Sequence, residues 1–592
     1  MRRTARRSRR PAALAAGLAA AALALVPVLL RAQAPGEEPP PLFVERIDVN
    51  VINVEVFVTD DQGRAVTGLT KEDFEILQDG RPVEVTNFFT VSRRDRVEME
   101  LARTTPPPTG TQSTTVSPPS DLPEDQRLNL LVYVDHYNLR PQNRTRVLET
   151  LGGFLEDRIF QGDRVMIVGY DGQLEVAQPF TRDVAAVAGA LDRIDKVKTH
   201  GQYYDAERRR VLDNVRTAAL ELDAPDVQLA DGFVRAYINE QQTELKRSAA
   251  ALSTIVRSLA GLPGRKALLY VSDGLPQRPG EDMYLYMSEV FGGSIIQGTT
   301  GELTDFVDTF SATMISDQNH LFDDITRHAN AHQVTLYTLD ARGSGGHSTA
   351  GAQERALVAD NRVAMDALHT TNFQEPLIEM AVATGGRSIL NTSEYGDALA
   401  EAASDFDHFY SLGFASPAEG DGDWHKIEVR VRRPGLNVRH RTGFVDKPEE
   451  ERIADRTLSS LFFEMEMNPL GVEVEFGQPE RQGRGVFHLP VLVRVPIREV
   501  TLLPNGDVQE GRLRIYVAVK DDVGGVTDPH EQIYPLRIPA DQLEVARGKE
   551  IGYAAKLRIA PGTPRVAVGV WDEVSGTESF VHKEVLVERG KG

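Results

Sequence analysis

The pattern of apolar and polar positions near the start of the chain predicts short antiparallel strands. Residues 44–58 alternate valine or isoleucine with polar residues over much of their length, which is typical of a half-buried strand. Two further strand candidates are separated by Asp79 and Gly80, a dipeptide that strongly favours a tight hairpin. Residues 43–92 are therefore predicted to form a small β module.

After this module, continuous apolar strands alternate with helical stretches. The segments LLVYV and ALLYV, at 130–134 and 267–271, have the uninterrupted apolar character of strands that are buried on both faces. Helices are predicted over about 141–159 and about 233–260. This alternation predicts an α/β fold with a mostly parallel sheet, covered on both faces, over residues 128–446. Three insertions into this unit, expected to be surface excursions, lie at about 199–230, 277–316 and 343–370.

Residues 449–592 return to a pattern of strands and turns. Their strand candidates are separated by turn dipeptides such as Asn505-Gly506, and this spacing predicts a C-terminal β-sandwich of the immunoglobulin-like kind that folds by itself. Residues 93–127 are rich in Pro, Ser and Thr, so we expect them to form a semi-extended linker between the first module and the α/β unit.

The first 34 residues have the features of a targeting segment. Residues 2–10 hold six arginines, residues 12–30 carry no charge, and Ala32-Gln33-Ala34 is a small-x-small cleavage pattern. This order predicts a signal peptide over residues 1–34 and an exported protein, periplasmic or extracellular. The alternative is an uncleaved membrane anchor, since about 20 apolar residues can span a bilayer. We expect contact with a membrane only in that second case.

Composition excludes several functions. The chain of 592 residues has no cysteine, which rules out disulfides, thiolate zinc sites and cysteine nucleophiles. Lys and Arg number 66 against 87 Asp and Glu, for a net charge of −21. Because binding to phosphates depends on a positive surface, this charge argues against nucleic acid as a partner.

Several phrases, in the right order, resemble one known family. They include VTDDQGRAVTGLTKEDFEILQDGRPVEVTNFF at 58–89, LLVYVDHYNL at 130–139, GRKALLYVSDG at 264–274 and VTLYTLDARG at 334–343. Over about 43–446 the chain is similar to von Willebrand factor type A (VWFA)-related proteins of the acidobacterial type. The resemblance implies a doubly wound, mostly parallel sheet with helices on both faces. It also implies interaction with a partner rather than catalysis.

Two aspartates each follow an apolar strand, and the resemblance places them side by side at the upper edge, by which we mean the edge formed by the carboxyl ends of the parallel strands. The family's metal-ion-dependent adhesion site reads Asp-x-Ser-x-Ser, and here those positions are Asp135, Tyr137 and Leu139. The hydroxyl ligands are therefore missing, although Asn138 offers an oxygen one position out of phase. The candidate ligands are Asp135, Asn138 and Asp273, in a degenerate site for weakly bound Mg²⁺ or Ca²⁺.

A structural role for the same residues remains open at this point. Asp135 and Asn138 could cap the following helix, and Asp273 could begin a turn with Gly274. The leading hypothesis for function is an exported, non-enzymatic VWFA-like binding or adhesion protein. Its partner would be a protein or a cell-surface polymer that docks on the upper edge. The alternatives are a structural protein of the cell envelope and a metal-assisted hydrolase that uses Asp135 and Asp273.

Overall fold

The computed structural model of the chain describes residues 51–92, 127–160, 162–220, 226–295, 317–344, 362–417, 420–463, 467–483, 485–522 and 525–588. The predicted signal peptide at 1–34 and, apart from Arg127, the predicted linker at 93–127 lie outside these residues. Within the described ranges, no helix combines the length and the hydrophobicity that are needed to span a bilayer.

The described residues form strands and helices that we number in chain order. The strands are β1 (Val51–Thr59), β2 (Phe74–Gln78), β3 (Arg81–Val83), β4 (Val85–Ser92), β5 (Leu128–Asp135), β6 (Arg164–Tyr170), β7 (Leu174–Thr181), β8 (Arg265–Ser272), β9 (Val334–Asp340), β10 (Ser388–Ile389), β11 (His408–Ala415), β12 (Trp424–Val431), β13 (Asn437–His440), β14 (Gly443–Val445), β15 (Glu473–Phe476), β16 (Glu480–Gly483), β17 (Val486–Pro496), β18 (Leu503–Asn505), β19 (Val508–Lys520), β20 (His530–Pro539), β21 (Glu550–Ile559), β22 (Arg565–Asp572) and β23 (Thr577–Glu584). The helices are α1 (Pro141–Phe160), α2 (Val184–Ile194), α3 (Gly201–Ala219), α4 (Val227–Ser258), α5 (Glu281–Ile295), α6 (Asn319–Ala331), α7 (Arg362–Ala383), α8 (Tyr395–Asp407), α9 (Glu449–Ser459) and α10 (Leu543–Arg547).

The predicted mixed α/β architecture with a mostly parallel sheet is confirmed. The central sheet has the order β10-β9-β8-β5-β6-β7. Its pairs are parallel except for the edge strand β7, which runs antiparallel to β6. Helices α1, α2 and α8 share an apolar core with one face of the sheet, and α4, α6 and α7 share a second core with the other face. Layers on both faces explain why the central strands are apolar throughout.

The N-terminal module is completed by strands from far along the chain. Strands β1 and β4 both pair with β11, and β1 also pairs with β13, while the second sheet has the order β14-β12-β2-β3. The two sheets enclose one apolar core that includes Val54, Ile76, Phe414 and Ile427. Residues 408–445, which the sequence places at the end of the α/β unit, complete a two-sheet sandwich with the module instead. Their alternating apolar positions fit this role, because each sheet of a sandwich is buried on one face only.

The α/β unit is an insertion into this sandwich. Strands β4 and β11 are antiparallel neighbours, and Ser92 at the end of β4 pairs with His408 at the start of β11. The chain thus leaves the sandwich at Ser92, builds the α/β unit, and returns to the adjacent position. Insertions of whole units are tolerated where the entry and exit points lie close together, as they do here.

The C-terminal segment forms a second sandwich, and its first helix also contacts the α/β unit. One sheet contains β15, β16, β17 and β21, the other contains β18, β19, β20, β22 and β23, and the two share a core cluster. Helix α9 packs against β19 and β22 on one side and against α4 on the other. Beyond α9, the ring of Phe463 lies 5.4 Å from that of Phe180 in β7. Residues 449–463 therefore belong to the α/β core as much as to the C-terminal sandwich.

A histidine connects the two segments of the first sandwich. The Nδ1 atom of His425 lies 2.8 Å from Oδ2 of Asp79, and its Nε2 atom lies 3.1 Å from Oδ1 of Asp421. The imidazole packs against Phe444, with ring centroids 5.3 Å apart. Burial opposes the charge of this ring, but the hydrogen bonds to Asp79 and Asp421 outweigh it and raise the pKa of His425 above its ordinary value. The protonated ring can donate to both carboxylates at once.

We expect the first sandwich to fold without the α/β unit when its strands are rejoined. In a chain that connects residues 43–92 directly to 408–446 by an Asn-Gly turn, β4 and β11 become an ordinary hairpin. Circular dichroism of this chain should show a β-type spectrum and a cooperative melt. The control is residues 43–92 alone, which keep only the β2–β3 pairing and should not melt cooperatively. A cooperative melt of the control would contradict the shared sandwich.

The raised pKa of His425 predicts a pH dependence of stability. A group whose pKa is higher in the folded state contributes its full stabilisation below the unfolded value of 6.5 and loses it as the pH rises through the folded value. The His425→Gln variant should therefore lose more free energy of unfolding at about pH 6 than at about pH 9. Urea melts at both pH values measure this difference. His488→Gln, on a strand of the C-terminal sandwich, is the control, and an equal pH dependence in the two variants would exclude the ion-pair role of His425.

Candidate functional site at the carboxyl ends of the parallel strands

The strand order creates a crevice at the upper edge between β5 and β8. From β5 the sheet continues through β6 and β7 on one side and through β8, β9 and β10 on the other. This is the topological switch point of a doubly wound sheet, where ligands usually bind. The register places Val134 beside Val271 and Ser272 beside Asp340, so the residues that end three neighbouring strands meet at this edge.

Asp135 is fully buried, and donors of its own chain surround its carboxylate. Its Oδ2 atom accepts hydrogen bonds from the hydroxyls of Tyr270 at 2.5 Å and Ser272 at 3.0 Å and from Nδ2 of Asn138 at 2.8 Å. Its Oδ1 atom accepts the backbone N–H of Asn138 at 3.2 Å. Burial raises the pKa of Asp135, although these hydrogen bonds act in the opposite direction. The carboxylate thus stabilises the turn between β5 and α1.

Asp273 is buried next to a cation that the chain supplies. Its Oδ2 atom accepts the backbone N–H of Arg140 at 3.1 Å and lies 3.2 Å from Nη1 of the same arginine. The side-chain amide of Asn143 donates to both carboxylate oxygens, at 3.0 and 2.9 Å. Burial raises the pKa of Asp273 to about 6, against the opposing effect of Arg140. Since Arg140 directly precedes α1, the carboxylate also lies at the positive end of that helix.

Arg140 joins three elements of the edge. Besides Asp273, its guanidinium contacts Asp205 of α3, with Nε 2.5 Å from Oδ2 and Nη2 2.6 Å from Oδ1. The fork of two parallel contacts is the geometry in which arginine binds a carboxylate most strongly. Arg140 therefore connects the loop after β5 to the loop after β8 and to the helix above them.

A third carboxylate, Asp340, was not among the predicted residues. It is buried at the end of β9, where it pairs with both Nε and Nη2 of Arg342 at 2.8 and 2.7 Å and accepts a hydrogen bond from Gln374 at 2.7 Å. The signal that identified Asp135 and Asp273, an aspartate after an apolar strand, also applies to Asp340 and could have found it.

Helix α3 covers the crevice, which differs from the surface excursion that we expected for this insertion. The backbone N–H groups of His200 and Gly201 donate to the carbonyls of His136 and Leu139, at 3.1 Å each. A Cβ atom at Gly201 would stand 2.7 Å from the Leu139 carbonyl oxygen, so this close approach requires glycine. The space that remains beside Arg140 measures about 40 Å³, room for a few water molecules but not for an organic ligand.

The residues present do not fit the divalent cation that the resemblance implies. A cation needs free oxygen ligands, but the carboxylate of Asp135 already accepts hydrogen bonds from four donor groups. The carboxylate of Asp273 accepts them from three, which are the backbone N–H and Nη1 of Arg140 and the amide of Asn143. Asn138 directs its side-chain N–H toward Asp135 rather than an oxygen toward a metal. Thr199 directly precedes His200 at this edge, and its hydroxyl is shielded and without a hydrogen-bond partner. A single hydroxyl does not hold a divalent ion. In the part of the chain that the structure describes, no group of three acidic or histidine side chains is arranged for a metal.

We expect Arg140 to decide whether this edge responds to metal. Wild-type protein should keep its melting temperature in about 10 mM Mg²⁺ or Ca²⁺, because Arg140 already compensates Asp273. The Arg140→Gln variant leaves a buried carboxylate uncompensated, which should lower the free energy of unfolding by about 3 kcal/mol. The same cations should then raise the melting temperature of the variant. Differential scanning calorimetry with and without metal measures both effects.

The matched control is Arg433→Gln, which removes an exposed arginine from Asp73 on the first sandwich. It should give no response to metal. A metal-dependent rise in the wild type that Asp135→Ala and Asp273→Ala both abolish would instead establish a weak metal site at these residues.

Comparisons with known proteins give only distant structural similarity. No family model and no curated protein matches the chain. Similar solved structures include an aerotolerance-related membrane protein from Bacteroides fragilis NCTC 9343, with 10% identity, a TM-score of 0.23 and coverage of 47% of this chain and 98% of that chain. BatB from Bacteroides thetaiotaomicron gives 8% identity, a TM-score of 0.20 and the same coverage of 47% and 98%. Three N-terminal domains of the type V pili tip protein Mfa5 from Porphyromonas gingivalis give 8% identity, a TM-score of 0.23 and coverage of 93% and 79%. These values are too low to carry an argument about function.

Proposed function

We propose that the chain is an exported, non-enzymatic VWFA-like binding protein that holds a protein or a cell-surface polymer at its upper edge through aromatic side chains rather than through a metal ion. The observation that carries the proposal is a cluster of rings at the position where the resemblance places a metal-dependent contact. The signal peptide that the sequence predicts at residues 1–34 supports a partner in the periplasm or at the cell surface.

The aromatic cluster, which consists of Tyr137, His200, Tyr203 and Tyr204, lies where α3 meets the loop after β5. The ring of Tyr137 stacks on His200 at 5.2 Å between centroids and contacts Tyr204 at 5.4 Å. Tyr203 packs edge-on against Tyr204 at 5.5 Å, and 53% of its surface is exposed. Tyrosine provides a large contact area with few rotatable bonds and is enriched at the centres of binding interfaces.

The same geometry argues against the metal-assisted hydrolase. A general base must reach the proton that it abstracts, or reach it through one water molecule. Asp135 and Asp273 are both buried, and hydrogen bonds within the chain occupy their carboxylates. Their positions stabilise turns of the upper edge, which is a structural task. Within the aromatic cluster, in contrast, Tyr203 is exposed to solvent, and the other three rings are partly buried next to it.

We expect Tyr203→Ala to weaken partner binding while stability changes little. Because the side chain is half exposed, its removal should change the free energy of unfolding by about 0.5 kcal/mol or less. Cross-linking in the native cell envelope, followed by affinity capture and mass spectrometry, should recover a partner with the wild type and much less of it with the variant. Val545→Ala is the matched control, since Val545 is 66% exposed and lies in the C-terminal sandwich.

Equal recovery from the wild type and Tyr203→Ala would contradict binding through the aromatic cluster. Recovery that is insensitive to Tyr203 but is lost when residues 467–592 are removed would favour the alternative of a structural envelope protein held by its β-sandwiches.

A further inference from the structure

A second and larger cavity lies away from the upper edge, between the amino-terminal ends of β8 and β9 and the outer face of the first sandwich. Its volume is about 540 Å³, within the usual range of small-molecule sites. Strands β1, β4 and β11 form one wall, and the starts of β8 and β9 form the other. None of the residues of the aromatic cluster lines it.

Two arginines line this cavity, and they differ in how they are compensated. Arg265 pairs with both carboxylate oxygens of Glu55, at 2.8 and 3.0 Å, and its guanidinium lies 3.7 Å from the ring centroid of Phe409. Arg441 is only 8% exposed and donates to two backbone carbonyls, those of Asn330 at 2.8 Å and Asn53 at 2.7 Å. The Nε atom of Arg441 is shielded and has no hydrogen-bond partner.

The uncompensated guanidinium is unusual because burying a charge without a counter-charge is costly. Burial lowers the pKa of Arg441 to about 10, so the side chain still carries its charge at neutral pH. Within the part of the chain that the structure describes, no carboxylate forms an ion pair with it. Asn330 adds a second unpartnered group in the same wall, since its Oδ1 atom is also shielded and without a donor. Neither of these two shielded atoms is open to the cavity, but Arg441 itself lines it, so the wall carries a guanidinium that no carboxylate of the described residues pairs with.

The remaining wall suits an apolar body of modest size. Phe89 and Val91 of β4 provide apolar surface, and Ser411 of the neighbouring strand adds a hydroxyl beside them. Because Glu55 compensates Arg265, the lining carries one net positive charge, in a protein whose net charge is −21. One positive charge matches a ligand with one negative charge better than a doubly charged phosphate.

We propose that this cavity binds a small organic carboxylate. The carboxylate pairs with the positive charge of the Arg441 guanidinium, and the apolar body of the ligand lies against Phe89 and Val91. Hydrogen bonds between arginine and a carboxylate are charge-assisted and are the stronger class. The site is independent of the upper edge, so it stands whether or not the aromatic cluster binds a partner.

Isothermal titration calorimetry of the full chain with benzoate tests this site. Benzamide has the same shape without the charge, and we expect it to bind the wild type roughly tenfold more weakly than benzoate, or worse. Arg441→Gln should weaken benzoate binding by a similar factor. The control is Arg430→Gln, which removes an exposed arginine that pairs with Glu428, and it should leave benzoate binding unchanged.

Because Arg441 also bonds two backbone carbonyls, its replacement could impair folding, and a second variant avoids this problem. Ser411 faces the cavity from β11, opposite Phe89, and Ser411→Phe fills the space without touching Arg441. This variant should keep a cooperative melt and lose benzoate binding. Full benzoate binding by Ser411→Phe, equal affinity for benzamide in the wild type, or no binding at about 10 mM benzoate would each overturn the proposal.

Discussion

The structure of the α/β unit depends on neutralising carboxylates that its own sheet buries. Parallel strands that end in aspartate deliver three carboxylates, Asp135, Asp273 and Asp340, to a single edge. Charges this close and this shielded destabilise the fold unless donors or cations surround them. The chain supplies hydroxyls and an amide for the first, Arg140 with Asn143 for the second, and Arg342 with Gln374 for the third. For Asp273 and Asp340, the compensating positive charge is thus an arginine of the chain itself.

This compensation also determines what the edge can do. Arg140 reaches Asp205, so the same guanidinium that compensates Asp273 fixes the first turns of α3 over the crevice. The helix closes the crevice to a ligand of ordinary size, and it brings Tyr203 and Tyr204 next to Tyr137. Because the helix covers the crevice, a partner can contact this edge only at its outer surface, where Tyr203 is exposed. The closed crevice and the aromatic cluster are therefore two consequences of one insertion.

Local sequence patterns predict individual strands and helices, but they do not predict contacts between segments that are far apart in the chain. Apolar runs predicted the strands of the parallel sheet, and helix α1 was expected over 141–159 and is observed over Pro141–Phe160. The rule that charged residues after such strands meet at one edge identified Asp135 and Asp273. It could not identify Arg140 as the counter-charge, because nothing in the local sequence shows that its side chain turns toward β8. Nothing in residues 426–432 shows that the strand they form pairs with β2, more than 340 residues earlier in the chain. Pairing across such a distance leaves no trace in either segment alone.

The two edges of the sheet differ in how their buried charges are compensated. At the upper edge each buried charge has a partner in the chain, so little interaction energy is left for a small ligand, and the residual space is about 40 Å³. At the opposite edge, the insertion of the α/β unit into the β4–β11 hairpin brings the sheet against the sandwich and encloses about 540 Å³. There Arg441 is held by the carbonyls of Asn330 and Asn53, which belong to the two different units. Carbonyl oxygens orient a guanidinium but do not neutralise it. The positive charge of Arg441 is therefore not compensated at this junction. Among the described residues of this chain rich in carboxylates, Arg441 is buried against carbonyls with no carboxylate paired to it, and this is the reason for proposing an anion site at the junction.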